Sequence, residues 1–123
     1  MLPTLVFLIM QGIPLRFETL VVLLDPIEIK KEQWIDALAN CESGGNEKIK
    51  ILDTNLKYSY GLFQFQLATW IEYGKDFGAT RQNISSSTLQ RKVARSMLDD
   101  GGWRHWYHCS NLIEKKLGLY PSS

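Results

Sequence analysis

The stretch from Asp25 to Gly45 carries both the start and the stop of a helix. Asp25 precedes Pro26, and Glu28 follows three residues after Asp25, an arrangement typical of a capped helix start. Gly44 and Gly45 supply the stop, because glycine adopts the left-handed conformation that ends helices without steric cost. Apolar side chains recur between the two ends at helical spacing, which predicts one amphipathic helix here.

Glu42 lies in the last turn of this helix, on the same face as Leu38. A carboxylate is poorly placed there, because the carbonyl end of a helix carries partial negative charge and an apolar face leads into a core. Both surroundings disfavour the charged form and raise the pKa, as a general acid requires near neutral pH. Glycosidic cleavage needs such an acid, since the leaving sugar oxygen must be protonated. The alternative is a solvent-exposed residue at a frayed helix end.

The remainder of the chain predicts an α+β domain that is mainly helical. Residues 46–60 lose the helical period and predict turns and a small β-hairpin, with a bend at Asp53 and Asn55. Three further helices are predicted around residues 67–71, 87–100 and 110–118.

Length and charge narrow the class of protein. The 123 residues suffice for one compact domain, and the net charge of +1 gives no bulk field for a polyanion, which argues against nucleic acid as a partner. We expect a monomer without a cofactor.

The predicted boundaries are an apolar segment over residues 1–25, a domain over 26–118 and a tail over 119–123. The first segment is a signal peptide, a membrane anchor or a leading helix, and its sequence does not distinguish them.

The two cysteines, Cys41 and Cys109, leave three interpretations open. Paired, they would stabilise the fold by roughly 4 kcal/mol through loop closure and would require an oxidising compartment. They could also be two buried reduced thiols. A metal site formed by His105, His108 and Cys109 is the third option, but a fourth ligand and a recognisable spacing are missing.

Three blocks of sequence resemble a known family. They are "WIDALANCESGGN", "YSYGLFQFQLATW" and "QRKVARSMLDDGGWRHWYHC", which lie in the same order as in the catalytic domain of resuscitation-promoting factors and, more broadly, of lysozyme-like lytic transglycosylases. The resemblance covers roughly residues 33–109. It implies a lysozyme-like fold with a small hairpin beside the catalytic helix, peptidoglycan glycan strands as substrate, Glu42 as the catalytic acid, and a disulfide between Cys41 and Cys109.

The resemblance also suggests substrate contacts. Residues 60–64 match the Gly-Leu-x-Gln type of motif that lines the cleft of lysozyme-like enzymes, so Gln64 would hydrogen-bond an acetamido sugar. The alternative is that Gln64 holds the hairpin to the adjacent helix. Tyr58 and Tyr60 are candidates for stacking on sugar faces, and Ser59 and Asn55 complete the candidate substrate-binding set. The tryptophans are assigned to packing, namely Trp34, Trp70, Trp103 and Trp106.

The chain departs from the pattern of animal-type lysozymes at Ser59, where those enzymes carry an aspartate as the second carboxylate. This favours an enzyme with a single essential glutamate. The segment between Asn46 and Tyr60 is also longer than in resuscitation-promoting factors, and Glu47 replaces their usual tryptophan. Asp53 lies in this segment. A turn-forming role is the simpler interpretation of Asp53, and a second acid is the alternative if the hairpin folds back.

The predicted activity is therefore cleavage of the β-1,4 bond between N-acetylmuramic acid and N-acetylglucosamine, by a lytic transglycosylase or a muramidase. The competing interpretation is a non-catalytic module that binds peptidoglycan or another envelope component. The predicted location is extracellular or in the cell envelope, and a phage-borne lysis or tail protein is a further context.

Overall fold

The structure, a computed structural model, describes residues 25–121; the segment predicted over residues 1–25 lies outside this range except for Asp25. Four α-helices and a small sheet follow one another within it. In chain order they are α1 (Pro26–Ser43), β1 (Lys50–Leu52), β2 (Tyr58–Tyr60), β3 (Phe65–Gln66), α2 (Leu67–Gly74), a 3-10 helix (Lys75–Phe77), α3 (Ser87–Asp99), a second 3-10 helix (Gly102–Trp106) and α4 (Tyr107–Leu117).

Helix α1 begins and ends where the sequence indicates. The Asp25 side chain accepts a hydrogen bond from the Ile27 backbone N–H at 2.8 Å, and Pro26 occupies the first turn. Gly44 ends the helix with a φ of 65°, and its N–H donates to the Asn40 carbonyl at 2.8 Å. This stop fixes Glu42 in the last turn.

The predicted hairpin is confirmed, and a third strand extends it to an antiparallel sheet in the order β1-β2-β3. Ser59 in the middle strand pairs with Ile51 on one side and with Gln66 on the other. The side chain of Ser59 is buried, and Tyr58 and Tyr60 point to the opposite face because side chains alternate along a strand. Ser59 is thus the buried residue of β2, whereas Tyr60 packs partly buried against the core from the other face and Tyr58 is exposed.

The core is formed by apolar faces of α1, α3 and α4 together with Phe63, Phe65 and Trp70. Trp34, Trp70 and Trp106 are buried and Trp103 is partly buried against the core, as expected for packing residues. The indole of Trp34 donates to the Gly118 carbonyl at 2.9 Å and meets the Tyr120 ring edge-on. The domain therefore has the mainly helical α+β fold that the sequence predicts.

A disulfide joins Cys41 in the last turn of α1 to Cys109 in α4, with a Cα–Cα distance of 5.9 Å. This confirms the pairing implied by the resemblance and removes the interpretation of two reduced thiols. Cys109 is consequently not available as a metal ligand. Among residues 25–121 no group of His, Cys, Asp and Glu side chains is arranged to hold a metal ion. In the same range, no helix combines the length and the apolar character that crossing a bilayer would need.

Candidate active site

A cleft of about 490 Å³ opens where the end of α1, the sheet, the start of α2 and the second 3-10 helix meet. Polar side chains contribute most of its wall, which suits a hydroxyl-rich ligand such as a sugar chain. Its lining residues are Glu42, Ile51, Asp53, Ser59, Gln64, Phe65, Gln66, Thr69, His105 and Trp106. Four residues that the sequence singled out, Glu42, Asp53, Ser59 and Gln64, therefore come together here.

The Glu42 carboxyl group is half-buried at the end of α1. Burial raises the pKa of Glu42 from its ordinary value of 4.5 to about 7, and the negative charge of Asp53 contributes to the pKa in the same direction. A carboxyl group with this pKa keeps a large share of its proton at neutral pH and can donate it to a bound ligand. The site thus contains the group that the sequence predicted for acid catalysis.

The carboxylate of Asp53 is held by two donors. The Ser59 hydroxyl donates to Asp53 Oδ2, and Gln66 Nε2 donates to the same oxygen at 2.8 Å. The hairpin thus folds back far enough to place Asp53 in the cleft of Glu42. Two carboxyl groups of unequal surroundings in one cleft form an arrangement that glycosidases use.

Gln64 has a φ of 52°, which is uncommon for any residue other than glycine. Its backbone N–H and its side-chain Nε2 both donate to the carbonyl of Gly61, at 3.2 and 3.0 Å. This tight turn directs the residue to the cleft wall between β2 and β3. Such backbone strain is common at functional positions, and binding of a sugar by Gln64 stays a prediction.

Gln90 holds the turn that carries Gln64, and sequence analysis missed this role. Its side chain is fully buried and accepts from the Phe63 N–H at 3.0 Å while donating to the carbonyl of Tyr60 at 2.8 Å. A Cβ on Gly61 would lie 2.6 Å from the Gln90 amide nitrogen, so only glycine fits there. The only signal in the sequence is that Gln90 is a polar residue on the apolar face of α3. Sequence alone does not distinguish such a residue from a glutamine that helps to cap the start of the helix.

Three predicted substrate contacts are not among the residues that line the cleft. Tyr58 and Tyr60 are on the face of β2 opposite to Ser59, and the ammonium group of Lys50 lies 4.3 Å from the centre of the Tyr58 ring. Asn55 is exposed and exchanges hydrogen bonds with the Gln66 side chain. Binding of sugar by these three residues stays a prediction, and the cleft geometry gives it no direct support.

Gln66 and Thr69 line the cleft without having been predicted as site residues, and His105, which the sequence suggested only as a metal ligand, lines it as well. Gln66 pairs with Ser59 across β2 and β3, so its side chain lies on the same face of the sheet as Ser59. A strand of two residues gives no signal of this pairing in its own sequence. Thr69 and His105 come from elements that approach the cleft only in the folded chain, so no local pattern marks them.

Comparison with known proteins agrees with this geometry. The family described as "Transglycosylase-like domain" matches residues 29–109. The chain is 41% identical over 75 residues to resuscitation-promoting factor Rpf1 of Corynebacterium glutamicum. The aligned stretch covers 61% of this chain and 37% of that protein. The chain is 36% identical over 75 residues to Rpf2 of the same organism, 61% of this chain and 19% of that protein. No solved structure matches the chain.

The match covers well over half of the sequence and includes Glu42, the disulfide and the cleft. The chain therefore belongs to the family of transglycosylase-like domains. Its resemblance to resuscitation-promoting factors is confirmed, although it spans little more than a third of Rpf1 and about a fifth of Rpf2.

Proposed function

We propose that this chain is a glycosidase that cleaves the β-1,4 bond between N-acetylmuramic acid and N-acetylglucosamine in peptidoglycan. The observation that carries the proposal is Glu42, a half-buried carboxyl group with a pKa of about 7 at the wall of a polar cleft. Membership in the transglycosylase-like family supports peptidoglycan as the substrate class.

In the proposed mechanism, Glu42 gives its proton to the oxygen that bridges the two sugars. The C1–O bond breaks, the bond electrons remain on the departing oxygen, and positive charge develops at C1. The acetamido group of the same sugar helps to stabilise that charge. The Glu42 carboxylate then accepts a proton from the group that attacks C1. That group is either the 6-hydroxyl of the same sugar, which gives a 1,6-anhydro end, or water, which gives a reducing end.

The proposed compartment is suggested by the disulfide. A bond between Cys41 and Cys109 persists in an oxidising environment, which fits an extracellular or envelope location where the glycan strands lie. We further propose that the domain acts as a monomer on the polymer.

The test compares the wild-type chain with Glu42→Gln on purified peptidoglycan. Glutamine preserves the shape of the side chain and removes the titratable proton, so we expect wall binding to remain and release of soluble muropeptides to stop. Glu72→Gln, an exposed change on α2, is the matched control and should cleave as the wild type does.

Equal cleavage by wild type and Glu42→Gln would contradict the role of Glu42. Binding without cleavage by any of the three proteins would instead support the alternative, a non-catalytic peptidoglycan-binding module.

A further inference from the structure

Asp53 directly follows β1, and its side chain does not serve the turn in which it lies. The turn is closed by its backbone, since the Leu56 N–H donates to the Asp53 carbonyl at 2.9 Å. The side chain that caps the turn belongs to Asn55, whose Oδ1 accepts from the Lys57 N–H at 3.1 Å. The simpler interpretation of Asp53 as a turn-forming aspartate therefore leaves its carboxylate unexplained.

The Asp53 carboxylate has a fixed orientation, and only one of its two oxygens accepts hydrogen bonds from the described residues. Ser59 and Gln66 both donate to Oδ2, so the position of the group is set by two neighbouring strands. No donor from the described residues reaches Oδ1. Each carboxylate oxygen accepts about two hydrogen bonds, which leaves Oδ1 able to accept from a ligand or a water molecule in the cleft.

The same carboxylate acts on Glu42 through the cleft. Asp53 and Glu42 line the same cleft, and the charge of Asp53 is the second cause, after burial, of the raised pKa of Glu42. A negative charge on the wall of the same cleft also acts on a ligand whose bond the acid protonates. A fixed charge in a partly enclosed site stabilises developing positive charge more strongly than water would.

We propose that Asp53 is the second catalytic carboxylate of this cleft and that it directs the reaction to hydrolysis. This inference rests on the proposed glycosidase function and adds the identity of the product. The carboxylate lies next to Ser59, and the Ser59 hydroxyl holds it at the wall of the cleft.

In the proposed step, Glu42 protonates the bridging oxygen, which leaves with the electron pair of the C1–O bond and becomes a hydroxyl group. Asp53 stabilises the cation at C1 by its charge and accepts a hydrogen bond from a water molecule through Oδ1. The water oxygen bonds to C1 and its proton passes to the Glu42 carboxylate. Both side chains thus return to their starting states, and the product carries a reducing end.

The experiment digests purified peptidoglycan in heavy-oxygen water and analyses the new muramic acid ends by mass spectrometry. The wild-type chain should give reducing ends that contain the heavy oxygen. Asp53→Asn should lower the cleavage rate roughly 100-fold, the size found when one electrostatic contact to a transition state is removed. It should also raise the share of anhydro ends among the residual products. Asp100→Asn removes the same charge outside the cleft and should keep the wild-type rate and products.

Wild-type products that consist only of anhydro ends would overturn the inference, and so would a wild-type rate in Asp53→Asn. The product analysis of the wild-type chain distinguishes hydrolysis from anhydro release even if the variant does not fold. Failure of the proposed function is a separate result, because in that case the wild-type chain releases no muropeptides of either kind.

Discussion

Replacing Glu42 with glutamine should stabilise the folded protein at neutral and alkaline pH. The pKa of Glu42 is raised from 4.5 to about 7, mainly by burial, so the folded state binds this proton more tightly than the unfolded state does. The contribution of protonated Glu42 to the free energy of unfolding is fully present below pH 4.5 and is lost as the pH rises to about 7. Glutamine stays neutral at every pH, so the variant does not lose this contribution to stability.

The size of the effect follows from the same two values. Their difference corresponds to about 3 kcal/mol at 1.36 kcal/mol per pH unit. The side chain faces an open cleft, so solvent screening reduces the effect, and we take about 3 kcal/mol as the upper limit. A gain between about 1 and 3 kcal/mol is expected above about pH 7.5, and almost none at about pH 4.

The assay is urea unfolding of wild type and Glu42→Gln at several pH values, with Glu72→Gln as the control for removal of an exposed carboxylate. The difference in unfolding free energy between Glu42→Gln and wild type should grow through the window from pH 4.5 to about 7. A difference that stays constant across this window would refute the argument, because it would mean that the protonation of Glu42 is not linked to folding.

Three further changes test the scaffold and the binding surface. Replacing Cys41 and Cys109 together by serine should lower the unfolding free energy by about 4 kcal/mol, as the bond closes a loop of 68 residues; a loss under about 1 kcal/mol in urea unfolding would contradict the loop-closure estimate. Gly61→Ala should destabilise the fold by about 1 to 3 kcal/mol, because its Cβ would collide with the Gln90 amide and its φ is 74°; an unchanged melting temperature would speak against the close approach. Gln64→Ala should raise KM for peptidoglycan about tenfold with a smaller change in kcat if Gln64 binds the acetamido group; an unchanged KM would remove that role.

Much of the fold could be predicted because its signals are local. The start of α1 at Pro26 and its end at Gly44 depend on residues within one turn of each boundary, and both agree with the structure. The third strand was missed because β3 has only two residues, Phe65 and Gln66, and derives its structure from pairing with β2. The last helix begins at Tyr107 and not near residue 110, because it continues directly from the second 3-10 helix.

The candidate site was accessible to prediction where one residue shows a local conflict, and it was missed where several residues meet. Glu42 was identifiable from the conflict between its charge and its helix face. The positions of Tyr58 and Ser59 depend on which face of β2 turns inward, and a three-residue strand does not reveal this from its own sequence. The contact between Gln90 and the turn before Gln64 spans 27 residues from Phe63 and has no local trace.

Asp53 shows the same limit most clearly. Asp53 and Asn55 are both turn-forming residue types, and the sequence does not say which of them caps the turn. The structure assigns the cap to Asn55 and leaves the Asp53 carboxylate to Ser59 and Gln66. That division of roles depends on the register of the hairpin, which forms only when the sheet does.

The pH dependence of kcat/KM for peptidoglycan cleavage tests the account most directly, because it reports the protonation of the acid in the free enzyme. If Glu42 donates the proton that breaks the glycosidic bond, kcat/KM should fall as the pH rises through about 7, the pKa of that group, and Glu42→Gln should lack measurable turnover at every pH. A kcat/KM that stays level or increases through about pH 7 would contradict the claim that a protonated Glu42 is the active form.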